Sequence, residues 1–226
     1  MSWHSIARSP VARAAALSAA LCAVALAPRA ARAQAATLTF DALTDVDGTG
    51  VRYVANCYEE AGIRVTVVGL ACGADGALAT WTADNPIQYT GSPALFNASQ
   101  PSVDFTVAAG GTFSLQSVGL ASFFGAFGNP TSVLFTGMLA SGGMVTQLVS
   151  VPGATAALTP YAFTGFTDLN SLRLTVTAPD FEPYVQFDNM AVVVSPAAVV
   201  PEPATVALFG AGLAGLGVLA RRRRAA

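Results

Sequence analysis

The sequence predicts an all-β fold, an antiparallel β-sandwich of jelly-roll type, between an N-terminal signal peptide and a C-terminal transmembrane helix. Residues 34–195 break into short β-prone runs separated by Gly, Pro, Asn and Asp, and several runs alternate apolar and polar residues. Such runs with frequent turns are typical of antiparallel sandwiches. In addition, no segment of this region sustains the period of about 3.6 residues that marks an amphipathic helix.

Residues 1–33 have the parts of a secretory signal peptide. Arginines give a positive start, Ala14–Ala27 is apolar, and small residues precede a cleavage site after Ala33. We expect signal peptidase to cut there, so that the mature chain begins at Gln34. The alternative is an uncleaved anchor, but the apolar run is short for a membrane core of about 30 Å.

The candidate strands of the body are runs rich in β-branched, aromatic or alternating residues. They are Thr37–Phe40, Ile63–Leu70, Leu78–Thr82, Val103–Val107, Thr112–Phe123, Ser132–Leu139, Met144–Ser150, Tyr161–Phe166, Ser171–Thr177 and Val185–Val194. Two Gly-Gly pairs, Gly110-Gly111 and Gly142-Gly143, stand between adjacent runs. We expect both to form hairpin turns, because glycine adopts the positive φ that tight hairpins need.

The charge of the body narrows the function classes. Residues 34–196 hold three arginines and twelve acidic residues, a net charge of −9, whereas the whole chain is at −2. An acidic surface repels phosphate backbones, so we expect no nucleic-acid partner. The single histidine is His4, in the predicted signal peptide, and the chain has no lysine. A mature chain without either residue excludes Ser-His-Asp and Cys-His nucleophiles, Schiff-base lysines and histidine-ligated metals.

Two cysteines, Cys57 and Cys72, remain once the signal peptide with Cys22 is removed. An even number of cysteines in an exported protein predicts a disulfide, because the periplasm is oxidising. This disulfide would close a loop of about 15 residues and stabilise the fold by roughly 3 kcal/mol. The alternative is two free thiols, one of them reactive.

The C-terminus divides into three segments. Residues 196–203 are a Pro-rich linker, residues 204–220 carry no charge, and residues 221–226 are an Arg-rich tail. As a helix, the uncharged segment would be about 26 Å long, the low end for crossing a bilayer. Positive residues stay on the cytoplasmic side. We therefore expect a transmembrane helix that anchors the exported chain transiently in the inner membrane.

The order of these segments resembles the PEP-CTERM sorting signal of Gram-negative bacteria that make extracellular polysaccharide. Pro201, Glu202 and Pro203 directly precede the apolar segment, and four arginines follow it: Arg221, Arg222, Arg223 and Arg224. The resemblance implies recognition by an exosortase, cleavage near Pro201–Pro203, and delivery to the cell surface or the extracellular matrix of a biofilm. The alternative for the prolines is a stiff spacer before a helix.

The body also resembles ectodomains that often accompany this tail. Three stretches carry the resemblance: Phe40–Leu43, Gly91–Asn97 and Phe187–Met190. Such domains look like the sandwich of carbohydrate-binding modules, in which the first and last strands are neighbours. The resemblance therefore implies that the terminal strands of the body pair with each other.

Asp41 and Asp188 each follow a phenylalanine, one at either end of the body. If the terminal strands pair, these carboxylates approach one another at the place where sugar-binding sandwiches often hold a structural Ca²⁺. Calcium takes about six to eight oxygens, so Asn189 or backbone carbonyls would have to contribute. The alternative is two solvated strand ends. Asp45–Gly50 lacks the third acid and the closing Glu of a calcium loop, so we expect a turn there and no other cofactor.

The acidic and aromatic residues of the body allow other sites. Glycosidases need two carboxylates about 5–10 Å apart and no histidine. The candidate acids are Glu59, Glu60 and Glu182. Glu59 and Glu60 are adjacent, and adjacent side chains on a strand point to opposite faces. The alternative is that these acids are solvated loop residues. Six aromatic residues are candidates for a sugar-stacking platform, and the alternative for each is a place in the core. They are Trp81, Tyr89, Phe123, Phe124, Phe127 and Tyr161. Residues 123–128 hold three phenylalanines beside glycines, which predicts an exposed contact loop.

These observations predict a non-catalytic, exported protein with a structural or adhesive role in a polysaccharide matrix. Its expected partners are signal peptidase, an exosortase-type processing enzyme and extracellular polysaccharide. The first alternative is a dedicated carbohydrate-binding module, which predicts an exposed aromatic strip beside polar side chains. The second is a carboxylate-dependent glycoside hydrolase, which predicts two acids in one cleft, at least one with a raised pKa.

Overall fold

The computed structural model describes residues 32–44, 50–73, 76–98, 102–122, 130–153, 156–177, 185–197 and 205–224. Residues 31–197 form one compact unit. Its strands are β1 (Gln34–Leu38), β2 (Val51–Val54), β3 (Cys57–Glu60), β4 (Ile63–Val67), β5 (Leu78–Trp81), β6 (Leu95–Asn97), β7 (Ser102–Val107), β8 (Gly111–Ser122), β9 (Thr131–Leu139), β10 (Met144–Val151), β11 (Thr159–Ala162), β12 (Leu169–Thr177) and β13 (Val185–Pro196). A short 3₁₀ turn, Asp41–Leu43, follows β1.

The strand ladders run antiparallel and form two layers. The first layer has the order β2-β5-β6-β13-β8-β11, and β1 also pairs with β13. The second layer has the order β3-β4-β7-β12-β9-β10. A single residue pair, Leu169 opposite Phe113, joins β12 of the second layer to β8 of the first. The all-β, antiparallel prediction is confirmed, and the first and last strands are neighbours, as the resemblance implied.

The chain crosses between the layers many times. It passes from the first layer to the second between β6 and β7, returns at β8, and crosses again at β9, β11, β12 and β13. Strands that are consecutive in sequence therefore often lie in different layers. This wrapping is typical of jelly rolls and requires many non-local contacts.

The core lies between the two layers and is rich in phenylalanine. Alternate residues of β4 and β7 are buried, as expected for strands with one face on a core. Phe105 on β7 meets Phe187 on β13 edge-on, with ring centroids 5.6 Å apart, so this contact ties the layers together. Phe40, just after β1, also packs edge-on against Phe187 at 5.7 Å. Among the described residues, the fully buried phenylalanines are Phe40, Phe96, Phe105, Phe113, Phe135, Phe166 and Phe187.

The predicted disulfide between Cys57 and Cys72 is present. The two Cα atoms are 5.1 Å apart, and the residues are separated by 15 positions in the chain. Cys57 begins β3, and Cys72 lies in the segment that follows β4, so the bond ties this segment back to its own hairpin. Asn56 reinforces the connection, because its side-chain amide donates to the Ala71 carbonyl oxygen at 3.1 Å.

Strand prediction succeeded for the long runs and missed three of the short strands. The strands β2, β3 and β6, of three or four residues each, were not predicted, whereas the four-residue strand β5 was predicted as Leu78–Thr82. The strand predicted at Tyr161–Phe166 is displaced, because β11 spans Thr159–Ala162 and the chain then turns inward. Phe163 and Phe166 beyond it stack edge-on at 5.1 Å in the core region.

The two Gly-Gly pairs have different roles. Gly142-Gly143 forms the predicted hairpin turn between β9 and β10, with φ of 87° and 90°. The hairpin predicted at Gly110-Gly111 is wrong. There β7 pairs with β4 and β12 of the second layer, whereas β8 pairs with β13 and β11 of the first. This turn carries the chain from one layer to the other.

The C-terminal helix α1 spans Thr205–Arg224, and the body described above belongs to a different compact unit. The formation of α1 agrees with the helix predicted over residues 204–220. Within the described residues, however, the structure contains no helix with the length and apolar character needed to cross a membrane. The four arginines form the end of the same helix. The transmembrane span over residues 204–220 stays a prediction.

Some predicted features lie outside the described residues. These are the signal peptide up to residue 31, the turn at 45–49, the phenylalanine-rich loop 123–128, Glu182, and the motif Pro201-Glu202-Pro203. The expected cleavage site between Ala33 and Gln34 lies within the described part, where β1 begins at Gln34. The cleavage itself stays a prediction.

Candidate functional site

The first half of β13 is buried on both of its faces. Gln186, Phe187 and Asp188 are each at most 1 % exposed. Phe187 points into the core, where it meets Phe40 and Phe105. Because side chains alternate along a strand, Gln186 and Asp188 face the opposite way. A buried amide and a buried carboxylate on this outer face need a covering segment with hydrogen-bond partners.

The covering segment is the β5–β6 loop, residues 82–94. Gln186 Nε2 donates to the Gln88 carbonyl oxygen at 2.9 Å. Ser92 Oγ donates to Asp188 Oδ2. Two buried side chains of β13 thus hold two points of the loop, and the loop in turn shields them from water.

Asp188 has a perturbed acidity. Burial raises the pKa of Asp188 to about 6, and repulsion from Asp41 and Glu60 adds to this rise. Hydrogen bonds from Ser92 and from the Asn189 backbone N–H, at 2.6 Å, oppose the rise because they favour the charged form. Asn189 adopts φ of 50°, which lets its backbone turn toward the carboxylate beside it.

Glu60 connects β3 to the end of β1. Its carboxylate accepts hydrogen bonds from the backbone N–H groups of Thr39 (2.9 Å) and Phe40 (3.0 Å). Tyr58 OH also donates to it, at 3.3 Å. Phe40 has φ of 53°, and the 3₁₀ turn that begins at Asp41 follows directly. These bonds bring Asp41 and Glu60 within electrostatic range of Asp188.

The structure thus brings Asp41 and Asp188 into the same region, as predicted. Across the described residues no group of three or more His, Cys, Asp or Glu side chains is arranged to hold a metal ion. The Asp188 carboxylate is occupied by hydrogen bonds from Ser92 and Asn189. Calcium at this place stays a prediction.

The three stretches that carry the ectodomain resemblance meet here. Phe40 of the first stretch contacts Phe187 of the third. Ser92 of the second stretch binds Asp188, and Leu95 lies opposite Phe187 in the β6–β13 ladder. Residues that are far apart in sequence therefore build one end of the first layer.

A pocket opens beside the β5–β6 loop, and aromatic side chains line it. Trp81, the last residue of β5, and Tyr89 of the loop are both half-buried in its wall. The Trp81 ring stacks on the buried Phe96, with centroids 5.3 Å apart and planes 25° apart. The indole is therefore held in place from behind. We call this the Trp81–Tyr89 pocket.

Polar groups complete the Trp81–Tyr89 pocket. Asp84 and Thr44 line it and are exposed. Thr82 also lines it but is only 6 % exposed, and its hydroxyl has no hydrogen-bond partner among the residues that the structure describes. Aromatic walls with a few polar groups are the usual composition of a small-ligand pocket. Such walls can stack on an apolar ring face while the oxygens bind hydroxyl groups.

Glu59 and Glu60, the two described acids that were considered for glycoside hydrolysis, do not form a pair; the third, Glu182, lies outside the described residues. Glu59 is exposed and bonds Arg64 at 2.6 Å across the β3–β4 hairpin. Glu60 points to the other side of β3, where it holds the amides of Thr39 and Phe40. The two carboxylates are thus directed to different partners, as their adjacent positions on a strand predicted.

Sequence reasoning did not assign roles to Ser92, Gln186, Thr82 or Asp84. A weak signal was present for Gln186, because a glutamine between Val185 and Phe187 interrupts a strongly apolar strand. Tyr161, one of the aromatic candidates, does not line the Trp81–Tyr89 pocket. Its hydroxyl donates to the Ser150 carbonyl oxygen at 2.8 Å, which joins β11 to β10.

The C-terminal segment identifies the class of protein. The family model described as the PEP-CTERM protein-sorting motif matches residues 199–224. The chain carries a PEP-CTERM protein-sorting motif. Pro201, Glu202 and Pro203 lie at the start of the matched PEP-CTERM segment, and Arg221–Arg224 lie at its end. The motif indicates export and processing by an exosortase.

Comparisons of the whole chain add little to the PEP-CTERM assignment. No curated protein sequence matches it. Among solved structures, a family 89 glycoside hydrolase from Clostridium perfringens has a TM-score of 0.38 at 12% identity, covering 60% of this chain and 14% of that chain. A family 29 carbohydrate-binding module mutant complexed with mannohexaose has a TM-score of 0.36 at 11% identity, covering 74% and 95%.

A further similar structure is a tandem CBM22 domain from Paenibacillus barcinonensis. It has a TM-score of 0.35 at 12% identity, and the match covers 76% of the present chain and 49% of the tandem-domain chain. At TM-scores and identities this low, these likenesses carry no argument about the present protein. The PEP-CTERM chain spans about one seventh of the glycoside hydrolase chain, at 14%.

Proposed function

We propose that an exosortase cleaves this protein near Pro201–Pro203 and that the body is delivered to the cell surface or extracellular matrix of a Gram-negative bacterium. The observation that carries the proposal is the PEP-CTERM motif at residues 199–224. Its Pro-Glu-Pro start, apolar segment and arginine cluster stand in the order that the sorting signal requires. At this destination the body acts as a structural or adhesive component of a polysaccharide matrix.

The proposed role is non-catalytic. The body contains no histidine and no lysine, so the commonest nucleophile and base systems are excluded. Two of its candidate acids, Glu59 and Glu60, are engaged in bonds that maintain the fold. The disulfide and the two-layered β-fold suit a protein that must persist outside the cell.

Replacing Glu202 tests the sorting proposal. We expect Glu202→Ala to accumulate as a longer, cell-associated form, because the processing enzyme reads the Pro-Glu-Pro motif. Immunoblots of cell and surface fractions measure both the size and the location of the protein. Glu182→Ala, the same substitution at the preceding glutamate, should be processed like the wild type. Normal processing of Glu202→Ala would rule the proposal out.

A second candidate function is carbohydrate binding. The observation that favours it is the Trp81–Tyr89 pocket, which combines two aromatic side chains with Asp84 and Thr82. Pull-down of the processed protein with the polysaccharide of its own strain, together with a glycan array, tests this candidate. Retention on at least one glycan supports carbohydrate binding. If no glycan retains the protein, this candidate is ruled out and only the structural role remains.

A further inference from the structure

We propose that the Trp81–Tyr89 pocket binds one neutral hexose unit of a glycan. The inference rests on the carbohydrate-binding candidate above and assigns its ligand class and its site. The residues that carry the argument are Thr44, Trp81, Thr82, Asp84 and Tyr89. Trp81 and Tyr89 favour a ring with an apolar face, and Thr82 and Asp84 favour neutral hydroxyl groups on it.

The aromatic residues supply a fixed apolar surface. Trp81 is supported from behind by Phe96, so its ring does not need to be ordered when a ligand binds. Tyr89 is held by its backbone, since its N–H donates to the Asn85 carbonyl oxygen at 2.9 Å. Large side chains with few rotatable bonds bind at low entropic cost. The apolar face of a pyranose ring is a suitable partner for these surfaces.

The polar residues require a ligand with hydroxyl groups. The Thr82 side chain is 6 % exposed, and within the described part of the chain its hydroxyl lacks a partner. A buried hydroxyl without a hydrogen bond is unfavourable. The Thr82 oxygen is closed to solvent in this structure, so a ligand hydroxyl would reach it and remove that cost only after the side chain rotates. The exposed Asp84 carboxylate accepts hydrogen bonds from further hydroxyls. A quaternary ammonium group would fit an aromatic pocket but offers no hydrogen bond to Thr82.

Charge favours a neutral ring over a uronic acid. The body has a net charge of −9, and one of its negative charges, that of Asp84, lies at the pocket itself. Arg52, on the strand β2 that pairs with β5, donates to the carbonyl oxygens of Thr44 (2.8 Å) and Ala42 (3.2 Å). Its guanidinium is therefore used to hold the segment that carries Thr44.

β13 anchors the loop that forms one wall of the pocket. Gln186 and Asp188 hold the β5–β6 loop through Gln88 and Ser92. The loop that carries Asp84 and Tyr89 is thus ordered before a ligand arrives. A pre-organised site loses less entropy on binding than a flexible loop does.

Tryptophan fluorescence gives a direct test. The chain has two tryptophans, and Trp81 is the only one after residue 33, so emission of the processed protein reports on the pocket. We expect a saturable change of emission with at least one of glucose, galactose, mannose or their neutral oligosaccharides, and none with glucuronate or choline. A response to glucuronate or choline alone, or to none of these compounds, overturns the inference.

Substitutions then locate the binding. Tyr89→Ala and Asp84→Asn should each weaken sugar binding at least about tenfold, which is about 1.4 kcal/mol, whereas Tyr89→Phe should retain most of it. Tyr53→Ala and Asp168→Asn are matched controls outside the pocket and should bind like the wild type. Circular dichroism and the unfolding midpoint verify that each variant folds. Because Trp81 reports only locally, retention of each variant on the glycan is measured as well.

The outcomes separate this inference from the proposed function. If the wild type binds a neutral glycan but Tyr89→Ala and Asp84→Asn bind it equally well, the pocket assignment is wrong and carbohydrate binding stands. If no glycan is bound although the protein is processed and reaches the surface, both binding proposals fail and the sorting proposal stands.

Discussion

Asp188 shows how a single residue links the core to the surface loop. It follows Phe187, a central core residue, and it is itself fully buried. Its carboxylate accepts hydrogen bonds from Ser92 and Asn189, yet burial and the nearby acids still raise the pKa of Asp188 to about 6. Near neutral pH the residue therefore carries a charge that is unfavourable in the fold.

The pH dependence of stability follows from this raised pKa. The proton on Asp188 contributes stability that is fully present below the usual pKa of 3.8 and is lost as the pH rises through about 6. Relative to Asp188→Asn, we expect the wild type to lose stability as pH rises across this window. Thermal unfolding midpoints of both proteins at several pH values measure it. A constant difference between the two proteins would contradict the account.

Phe187 makes the other contacts of the same strand. It is 1 % exposed and meets rings from both layers, Phe40 and Phe105. We expect Phe187→Ala to lower the free energy of unfolding by about 3–5 kcal/mol. Leu148→Ala, at a position 64% exposed on β10, should change it by less than about 0.5 kcal/mol. Denaturant unfolding compares them, and equal losses would contradict the assignment of Phe187 to the core.

The residue scale also shows what the sequence could reveal about the site. The positions of Asp41 and Asp188 after phenylalanines predicted their approach, because terminal strands that pair must bring such residues together. The partner of Asp188 could not be predicted, since Ser92 lies 96 positions away in the chain. Thr82 and Asp84 were missed for another reason. A pocket that is built by a loop leaves no periodic pattern in the sequence.

Among the elements, the disulfide fixes the first hairpin of the second layer. It joins the start of β3 to the segment after β4, and Asn56 binds the same segment. We expect replacement of Cys57 and Cys72 by serine to lower the free energy of unfolding by roughly 3 kcal/mol, because the unfolded chain regains the entropy of an open loop. Denaturant unfolding of the oxidised, reduced and substituted proteins tests this. Indistinguishable curves for all three would be evidence against it.

The elements also show the limits of pattern reading. Long runs such as β8, β9 and β12 were predicted because they offer several alternations of apolar and polar residues. The three-residue strand β6 offers too few to distinguish a strand from a loop. The same Gly-Gly sequence forms a hairpin at 142–143 and a connection between layers at 110–111. Pairing with distant strands, which no local pattern encodes, decides between these outcomes.

For the whole molecule, export and sorting explain the distribution of charge. The body is at −9, and most of the compensating arginines lie in the two terminal segments, which makes the chain nearly neutral. If both segments are removed, the exported product is strongly acidic and contains no histidine or lysine. This product is the two-layered body with its disulfide and its pocket.

Mass spectrometry of the protein recovered from the cell surface or medium tests the central claim most directly. The account predicts a product that begins at Gln34, ends near Pro201–Pro203 and contains the Cys57–Cys72 bond. Such a product lacks Arg221–Arg224. A surface form that still carries these arginines would contradict sorting by an exosortase.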